Sequence, residues 1–468
     1  MSGKLMENIT FDELAIGQSA ELTRTLTQKD IDLFAVVSGD TNPVHLDENY
    51  AEHSLFQGVV AHGMWTGGLI STVLGTMLPG LGTIYLGQEM RFAKPVRLGD
   101  TLTVRVTVRE KKAGKPVVIL DCLCRNDKGE TVLEGVATIL APTQKLRLER
   151  PELPSVLVCP HDHYKAIIET CSKLGRLKVA VAHPVSSNVI EAVLEAVEEN
   201  LIDPILIGPL LRVREACVKA GVKPDMFKIV DVEHSHEAAA LAASMAAKGD
   251  VEAIMKGSLH TDELLGAIVG SNSGLRTERR ISHAYIMNIM TYHKPLIITD
   301  AAINIAPTLE HKADITRNAI DLWRVLFGDD RKPKVALLSA VETVTSDMPS
   351  TIDAAALCKM ADRGQITGAD LDGPLAFDNA IDREAASDKG ITSPVVGDAD
   401  ILVVPNIESG NALAKQMIFL GHADAAGIVL GARVPVILTS RADSTRTRLF
   451  SCCVALALSR ARKDGRIK

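Results

Sequence analysis

A short apolar stretch near the end of the chain constrains the fold more than any other feature. Residues 434–439 read Val-Pro-Val-Ile-Leu-Thr, a run typical of a strand buried on both faces. A polar cluster follows at once and precedes an apolar helix; its members are Ser440, Arg441, Asp443 and Ser444. Such a cluster at the carboxyl end of a buried strand is where open α/β sheets bind ligands. The alternative is an ordinary strand-to-helix turn in which Ser or Asp caps the helix.

The composition predicts a globular protein of two or three domains. The 468 residues are 46% hydrophobic and 23% charged, which leaves ample material for buried cores. A net charge of -7 and the lack of a basic run with interleaved aromatics argue against a nucleic-acid partner. The start shows no apolar secretory segment, and the eight cysteines form no CxxC pair. We therefore expect reduced thiols and a cytoplasmic location.

One uncharged stretch, residues 63–88, is long enough to span a bilayer. Leu78-Pro79-Gly80 would break a helix near its middle, however. We expect a buried helix followed by a strand here, and no membrane partner.

The loop after the first predicted helix could carry an acid/base pair. Thr27 is the expected cap of that helix, whose inward-facing positions would include Val37 and which would end at Gly39. Because a proline at position 43 restricts the residue before it, Asp40 and His45 would be held on a stiff loop. A carboxylate and an imidazole about one water apart can act as acid and base. The alternative is a capping aspartate and a surface histidine.

The rest of the first 142 residues predicts a helix wrapped by an antiparallel sheet. The helix would begin at His62, run to about Met77 and be buried on every side, because it is apolar nearly all round. Its glycines 67, 68 and 75 suggest a close approach to a sheet. Alternating strands are predicted at 83–92, 101–111, 116–125 and 130–140. A buried helix inside such a sheet is a hotdog fold.

Two motifs in this region resemble MaoC-like (R)-specific enoyl-CoA hydratases. They are SGDTNPVHLD at 38–47 and VAHGM at 60–64. The resemblance covers about residues 9–142, and the Asp-x-Asn-Pro-x-His spacing is specific.

This resemblance implies roles for five residues. Asp40 and His45 would hold the water that adds across the double bond. The amide of Gly63, at a helix N-terminus, would polarise the thioester carbonyl where enolate charge develops. Asn42 and His62 are predicted to bind substrate.

From residue 155 onwards the chain alternates apolar strands with helices. A charged, proline-bearing stretch at 143–154 is expected to be a linker. The pattern beyond it predicts an α/β domain with a mostly parallel sheet. It contains no GxGxxG and no GxxxxGK[ST], so we expect no nucleotide cofactor. Neither HDH at 161–163 nor HSHE at 234–237 has zinc-helix spacing, so we predict no metal.

This part resembles the phosphate acetyltransferase/phosphate butyryltransferase family over about 155–468. The matching stretches are MKGSLHT (255–261), GLRT (274–277), ISH (281–283), TDAAINIAP (299–307), DGPLAFD (372–378), VPNIESGN (404–411) and LTSRADS (438–444). The family has two α/β subdomains with the site in the cleft between them. The resemblance therefore implies one subdomain from about 155–298 plus 436–468 and a second from about 299–435.

The family's reaction moves an acyl group between CoA sulfur and phosphate oxygen. It needs a group that binds the phosphate dianion, a hydrogen-bond donor to the thioester oxyanion, and a base for the CoA thiol, whose pKa is near 8.5. Arg441 suits the first role, Ser440 the second and Asp443 the third. Ser440 could instead be a covalent nucleophile, although no histidine close in sequence would activate it.

The resemblance has two departures. Thr447 stands where acetyltransferases of the family carry an aspartate, and the arginine usual near the first strand is missing from 179–184. These departures favour the butyryltransferase branch. Lys256 and Arg276 are the predicted substitutes for the missing cation, and Asn304 is also predicted to bind substrate.

Together these features predict a fusion of two CoA-thioester enzymes. One part would hydrate trans-2-enoyl-CoA to (R)-3-hydroxyacyl-CoA, and the other would exchange acyl-CoA plus phosphate for acyl phosphate plus CoA. CoA thioesters and phosphate would be substrates, with no bound cofactor. Both families pair their subunits, so we expect a homo-oligomer of even subunit number. The rival hypothesis makes the hotdog domain a non-catalytic oligomerisation or acyl-CoA-sensing module; a dehydrogenase is disfavoured by the missing dinucleotide loop.

Overall fold

The computed structural model describes residues 5–154, 156, 168, 171–439 and 445–467. The chain divides into two compact units, Met1–Pro160 and His161–Lys468.

The first unit is a hotdog fold. Its antiparallel sheet has five strands in the order β2-β4-β5-β6-β3, and β1 pairs with β7. The strands are β1 Leu5–Glu7, β2 Ser19–Thr25, β3 Ile84–Phe92, β4 Thr101–Lys111, β5 Val117–Asn126, β6 Thr131–Leu140 and β7 Arg147–Glu149. The helices are α1 Gln28–Ser38, α2 Pro43–Leu46, α3 Glu48–Glu52 and α4 Gly63–Thr76. The four predicted strands match β3 to β6 to within a residue or so; β7 lies inside the segment predicted as linker.

Helix α4 packs on the inner face of this sheet. Ile70 and Val73 are fully buried, as are the alternate strand positions Leu102, Val104 and Val106. The opposite side chains of β4 face solvent or are half-buried. This alternation is what a sheet with one dry face requires.

Two details of the predicted helices are wrong. Val37 is 85% exposed, because α1 is amphipathic and this position faces away from the core. Helix α4 is not buried on every side: Met64 is 53% exposed, and a Cβ at Gly68 or Gly75 would meet nothing within 4 Å. Of the three glycines at 67, 68 and 75, only Gly67 is closely approached, since a Cβ there would lie 3.1 Å from the sulfur of Met90.

The second unit is built on one eleven-stranded sheet in the order β10-β9-β8-β11-β18-β17-β12-β13-β16-β14-β15. Its strands are β8 Leu177–Ala182, β9 Ile202–Gly208, β10 Lys228–Asp231, β11 Ala253–Lys256, β12 Ser282–Asn288, β13 Leu296–Thr299, β14 Lys334–Leu338, β15 Asp370–Leu375, β16 Ile401–Val403, β17 Asp424–Leu430 and β18 Val436–Ile437. Its helices are α5 Ser187–Glu198, α6 Leu210–Lys219, α7 Ser235–Lys248, α8 Thr261–Val269, α9 Leu309–Phe327, α10 Pro349–Asp362, α11 Phe377–Ile381, α12 Arg383–Asp388, α13 Ile407–Phe419 and α14 Thr445–Lys463. A 3-10 turn spans Pro224–Met226.

Most neighbouring strands of this sheet are parallel, as the alternating pattern predicted. The exceptions are the pairs that involve β12 and β17, which run antiparallel to their partners in the centre of the sheet. Helices cover both faces, so the central strands are buried on both sides. Strand β18 is shorter than the predicted 434–439, and residues 440–444 lie outside the described part of the chain.

None of the helices in the described segments is long and apolar enough to cross a membrane. The uncharged stretch at 63–88 divides into α4 and the start of β3, with Leu78-Pro79-Gly80 between them.

Candidate active sites

The first candidate site lies on the loop between α1 and α2. Helix α1 has a capping box made by Thr27 and Asp30, and it ends at Gly39, whose φ of 74° is left-handed. The carboxylate of Asp40 then accepts a hydrogen bond from the backbone amide of Asn42 at 3.2 Å. Asn42 in turn caps α2, because its side chain accepts from the amide of Val44. The loop is therefore fixed by its own hydrogen bonds, and Asp40 stays exposed to solvent.

His45 is oriented by a backbone carbonyl. Its Nδ1 lies 2.7 Å from the carbonyl oxygen of Val60, which can only accept, so Nδ1 carries the hydrogen. The neutral ring then presents a lone pair at Nε2. A half-buried imidazole with a fixed tautomer is a suitable proton acceptor.

Asp40, His45 and His62 come together in space. Their carboxylate and ring-nitrogen atoms lie within 4.8 Å of one another. The rings of His45 and His62 are 3.8 Å apart between centroids. A carboxylate and an imidazole lone pair at this spacing can share the two hydrogens of one water. The same spacing could also hold a metal ion, which the sequence did not predict.

Gly63 is the first residue of α4. Its amide has no partner within the helix, because the first turn leaves such groups unpaired. A Cβ at this position would lie 3.2 Å from the ring of Phe92, so a larger residue would crowd the site. An amide at a helix N-terminus suits a developing oxyanion.

The second candidate site is at the carboxyl edge of three parallel strands, β8, β11 and β18. Lys256 ends β11, pairs with Ala182 and is only 5% exposed. Its neighbour Met255 pairs with Ile437 of β18. The register therefore places Lys256 beside the end of the strand that leads to residues 440–444.

His183 follows β8 at the same edge and was missed by the sequence analysis. Its φ of 55° is left-handed, and such strain in a non-glycine residue is concentrated at functional sites. Its carbonyl accepts from the amide of Ser258 at 2.8 Å, and the Ser258 hydroxyl donates to the hydroxyl of Ser186 at 3.0 Å. A Cβ at Gly257 would lie 2.4 Å from the carbonyl oxygen of Ala182, so this close approach requires glycine.

Asp300 anchors a buried polar network next to β13. Its carboxylate accepts from the amides of Ala302 and Ile303 and from both the amide and the side chain of Asn304. The Nε of Arg280 donates to the side-chain amide oxygen Oδ1 of Asn304 at 2.7 Å. Asn304, predicted to bind substrate, therefore already has its side-chain nitrogen and oxygen engaged within the protein.

His283 connects this network to β18. It is fully buried, and its Nε2 lies 3.5 Å from the carbonyl oxygen of Leu438. Burial lowers the pKa of His283, while the negative charge of Asp300 opposes that effect. A Cβ at Gly427 would lie 3.2 Å from Nε2. A histidine does therefore reach the end of β18, although none is close to it in sequence.

The structure separates the two predicted substitute cations. Arg276 is exposed and forms an isolated antiparallel β-bridge with Ala432, which precedes β18. Lys256 instead lies beside the carboxyl end of β18. Arg276 lines a cavity of about 530 Å³ together with Arg280. The predicted residues Ser440, Arg441 and Asp443 lie outside the described part of the chain.

The helix after that segment contributes a cation that sequence reasoning missed. Arg448 is buried near the start of α14, and its guanidinium donates to the carbonyl of Asn188 in α5 at 3.5 Å. Thr447, at the family's aspartate position, is also buried. Neither His183 nor Arg448 has a sequence signal, because their neighbours come from other strands and helices.

Two known protein families match the chain, one within each of the two structural units. Residues 13–120 match the MaoC like domain family, and residues 233–456 match the phosphate acetyl/butaryl transferase family. A phosphate acetyltransferase of Rickettsia prowazekii is 56% identical over 63% of this chain and 83% of its own length. This relative's name gives no support to the butyryltransferase branch, which the two departures had favoured.

Two solved structures are also similar. A branched-chain phosphotransacylase from Enterococcus faecalis is 31% identical, with a TM-score of 0.54, and the match covers 60% of this chain and 99% of that one. The R-hydratase PhaJ1 of Pseudomonas aeruginosa is 47% identical, with a TM-score of 0.32, over 33% of this chain and 99% of that one. The chain belongs to the phosphate acetyl/butaryl transferase family and carries a MaoC-like domain ahead of its transferase unit.

Proposed function

We propose that the second unit transfers acyl groups between coenzyme A and inorganic phosphate. The 56% identity to a phosphate acetyltransferase supports this reaction, with an acetyl group as the first substrate to test. A phosphate oxygen attacks the thioester carbonyl carbon, the carbon–sulfur bond breaks, and CoA leaves as a thiolate that takes a proton. In the reverse direction the thiol loses that proton to a base.

The buried position of Lys256, beside the end of β18, is the observation that supports this proposal. Arg441 would hold the phosphate with two parallel hydrogen bonds, and Ser440 would donate to the oxyanion. Asp443 would exchange the proton with CoA sulfur. Lys256 would add positive charge from the neighbouring strand, where burial strengthens its attraction for a dianion.

The first unit is proposed to hydrate trans-2-enoyl-CoA to (R)-3-hydroxyacyl-CoA. Asp40 and the Nε2 lone pair of His45 would orient a water and take its proton as its oxygen bonds to C3. A proton added at C2 completes the reaction, and the Gly63 amide would stabilise the enolate oxygen in between. The fixed tautomer of His45 beside the Asp40 carboxylate is the observation that carries this half of the proposal.

One panel of assays tests both reactions on the same sample. Crotonyl-CoA would be followed by loss of the enoyl absorbance, and acetyl-CoA and butyryl-CoA by phosphate-dependent release of free thiol. We expect hydration without phosphate and thiol release only with phosphate. Absence of hydration would establish the hotdog unit as a non-catalytic module, and absence of phosphate-dependent release would exclude the transferase reaction.

We also propose that the protein forms a homo-oligomer of even subunit number, through β3. This strand is an edge of the hotdog sheet, and it exposes Ile84, Tyr85, Leu86 and Phe92, each at least 40% exposed. An edge strand with exposed apolar side chains is a pairing surface, and antiparallel pairing of two copies across a twofold axis would cover it. Light scattering should give a mass of at least two 50.2 kDa chains. A single-chain mass at micromolar concentration would contradict the proposal, and Leu86→Lys should weaken the assembly.

A further inference from the structure

His62 sits at the centre of the hydratase site, yet the proposed chemistry gives it no role. It is 2% exposed and immediately precedes Gly63. Its Nε2 lies 3.1 Å from the backbone carbonyl oxygen of Asp40. Its ring lies against His45 on one side, and the ring of Phe34 is 5.0 Å away between centroids. It therefore contacts both members of the acid/base pair.

The partners of His62 define its tautomer. A backbone carbonyl only accepts, so Nε2 must carry the hydrogen, and Nδ1 of the neutral ring holds the lone pair. This Nδ1 is buried and finds no hydrogen-bond partner among the residues that the structure describes. A second proton there would leave a buried N–H without an acceptor and would place a positive charge against the His45 ring. The described contacts of the ring therefore fit the Nε2–H tautomer.

We propose that His62 is a positioning residue of the hydratase, acting as a hydrogen-bond donor through Nε2 and not by binding substrate. Its Nε2–H holds the Asp40 backbone, and its face restrains the His45 ring. This inference rests on the proposed hydration reaction, and it replaces the expectation that His62 binds substrate.

The geometry explains why such a support is needed. The Asp40 side chain is exposed, and its one hydrogen bond that the described structure shows comes from Asn42 on the same loop. The hydrogen bond from His62 ties this loop to the start of α4, where Gly63 lies. Carboxylate, imidazole and oxyanion donor are thereby held in one arrangement, and a shift of about 1 Å in such an arrangement can lower a rate on the order of 100-fold.

Two substitutions separate positioning from substrate binding. The amide nitrogen of a glutamine reaches about as far as Nε2, so His62→Gln can still donate to Asp40, whereas the shorter His62→Asn cannot. We expect His62→Asn to lower kcat for crotonyl-CoA hydration by about 10- to 100-fold, with KM little changed. His62→Gln should retain most of the activity. His53→Asn is the matched control, since His53 is exposed and outside the site, and phosphate-dependent thiol release should stay normal in all three variants.

Other outcomes would contradict the positioning role of His62. A raised KM with normal kcat in His62→Asn would restore the substrate-binding role, and equal losses in both variants would remove the donor role of Nε2. Nitrogen-15 NMR of histidine-labelled wild-type protein provides a test that needs no variant: His62 should show the Nε2–H tautomer and His45 the Nδ1–H tautomer at neutral pH. An Nδ1–H tautomer for His62 would overturn the inference. Failure of the hydratase proposal itself would instead appear as no hydration by the wild type.

Discussion

The two units assemble their candidate sites in different ways. In the hotdog unit, every candidate group comes from one stretch, residues 40–63, and from the starts of two helices. In the transferase unit, the groups come from the ends of β8, β11 and β18, which lie far apart in the sequence and meet only through strand register. Two short motifs therefore contain every candidate group of the first site, whereas those of the second come together only once the sheet has formed.

The environments of the two sites also differ. Asp40 is exposed and His45 is half-buried, so a water can reach this pair directly. Lys256, His283 and Asp300 are all buried. Because charges interact more strongly away from water, we expect the transferase site to depend more on its fixed charges and the hydratase site more on geometry.

The largest expected effect tests the charge-dependent site. Arg441→Ala should lower kcat/KM for phosphate on the order of 10²–10⁴-fold. Arg441→Lys keeps the charge but loses the two parallel hydrogen bonds, so it should raise KM for phosphate and also lower kcat. Hydration of crotonyl-CoA should be unchanged in both variants.

Arg446→Lys is the control for this arginine, because Arg446 lies at the start of α14 and pairs with Asp424 at 3.4 Å. It should leave phosphate kinetics normal. Normal phosphate kinetics in Arg441→Lys would remove Arg441 from the phosphate site.

Asp443→Asn tests the proposed base. If Asp443 exchanges the CoA proton, the forward and reverse rates should fall together, by about 10²-fold or more, with phosphate affinity little changed. A helix cap would give a different result: normal kinetics with a loss of about 1 kcal/mol of stability. Initial rates in both directions and a thermal melt distinguish the two roles.

A smaller effect concerns the stability of the transferase unit alone. Asp400 is 1% exposed, and both of its oxygens accept from Arg331, each at 2.7 Å. Burial raises the pKa of Asp400, but the hydrogen bonds from Arg331, Lys334 and Lys294 outweigh burial and leave that pKa below its usual value. Asp400→Asn should destabilise this unit by about 2 kcal/mol, since it removes the charged acceptor of the hydrogen bonds from half-exposed Arg331 and from Lys294, which keeps its pair with Asp398. Asp370→Asn, which breaks an exposed pair with Lys332 at 3.7 Å, is the control and should have little effect.

The same network gives a pH dependence with a defined sign. The folded-state pKa of Asp400 is lowered, so its contribution to stability is present above the unfolded value near 3.9 and is lost as the pH falls below it. The wild-type transferase unit should therefore lose stability as the pH drops below about 4, and Asp400→Asn should flatten that dependence. Thermal melts across this range measure both, and an equally steep dependence in the variant would contradict the assignment.

Features set by neighbouring residues could be predicted from the sequence, whereas features set by contacts between distant residues could not. The strands of the hotdog sheet were predictable because alternate residues such as Leu102 and Val104 are apolar, but β2 was missed because Ser19–Thr25 lacks that contrast.

The Asp40–His45 loop was predictable from proline and cap chemistry within a few residues. The contacts of His183, His283 and Arg448 were not predictable, because strand register brings His183 beside the residues that follow β11, and packing brings His283 to Leu438 and Arg448 to α5. The exposed face of α4 was also missed, since apolar composition alone does not show which side meets the sheet.

Asp40→Asn tests most directly whether one chain carries two separate chemistries. The change keeps the shape of the side chain but removes its negative charge, so hydration of crotonyl-CoA should fall about 10²–10⁴-fold. Phosphate-dependent release of CoA, measured on the same sample, should be unchanged. Asp47→Asn is the matched control, because Asp47 lies on the same surface and only caps α3 through the amide of Tyr50. Full hydratase activity in Asp40→Asn would contradict the assignment of this pair, and a parallel loss of CoA release would contradict the independence of the two sites.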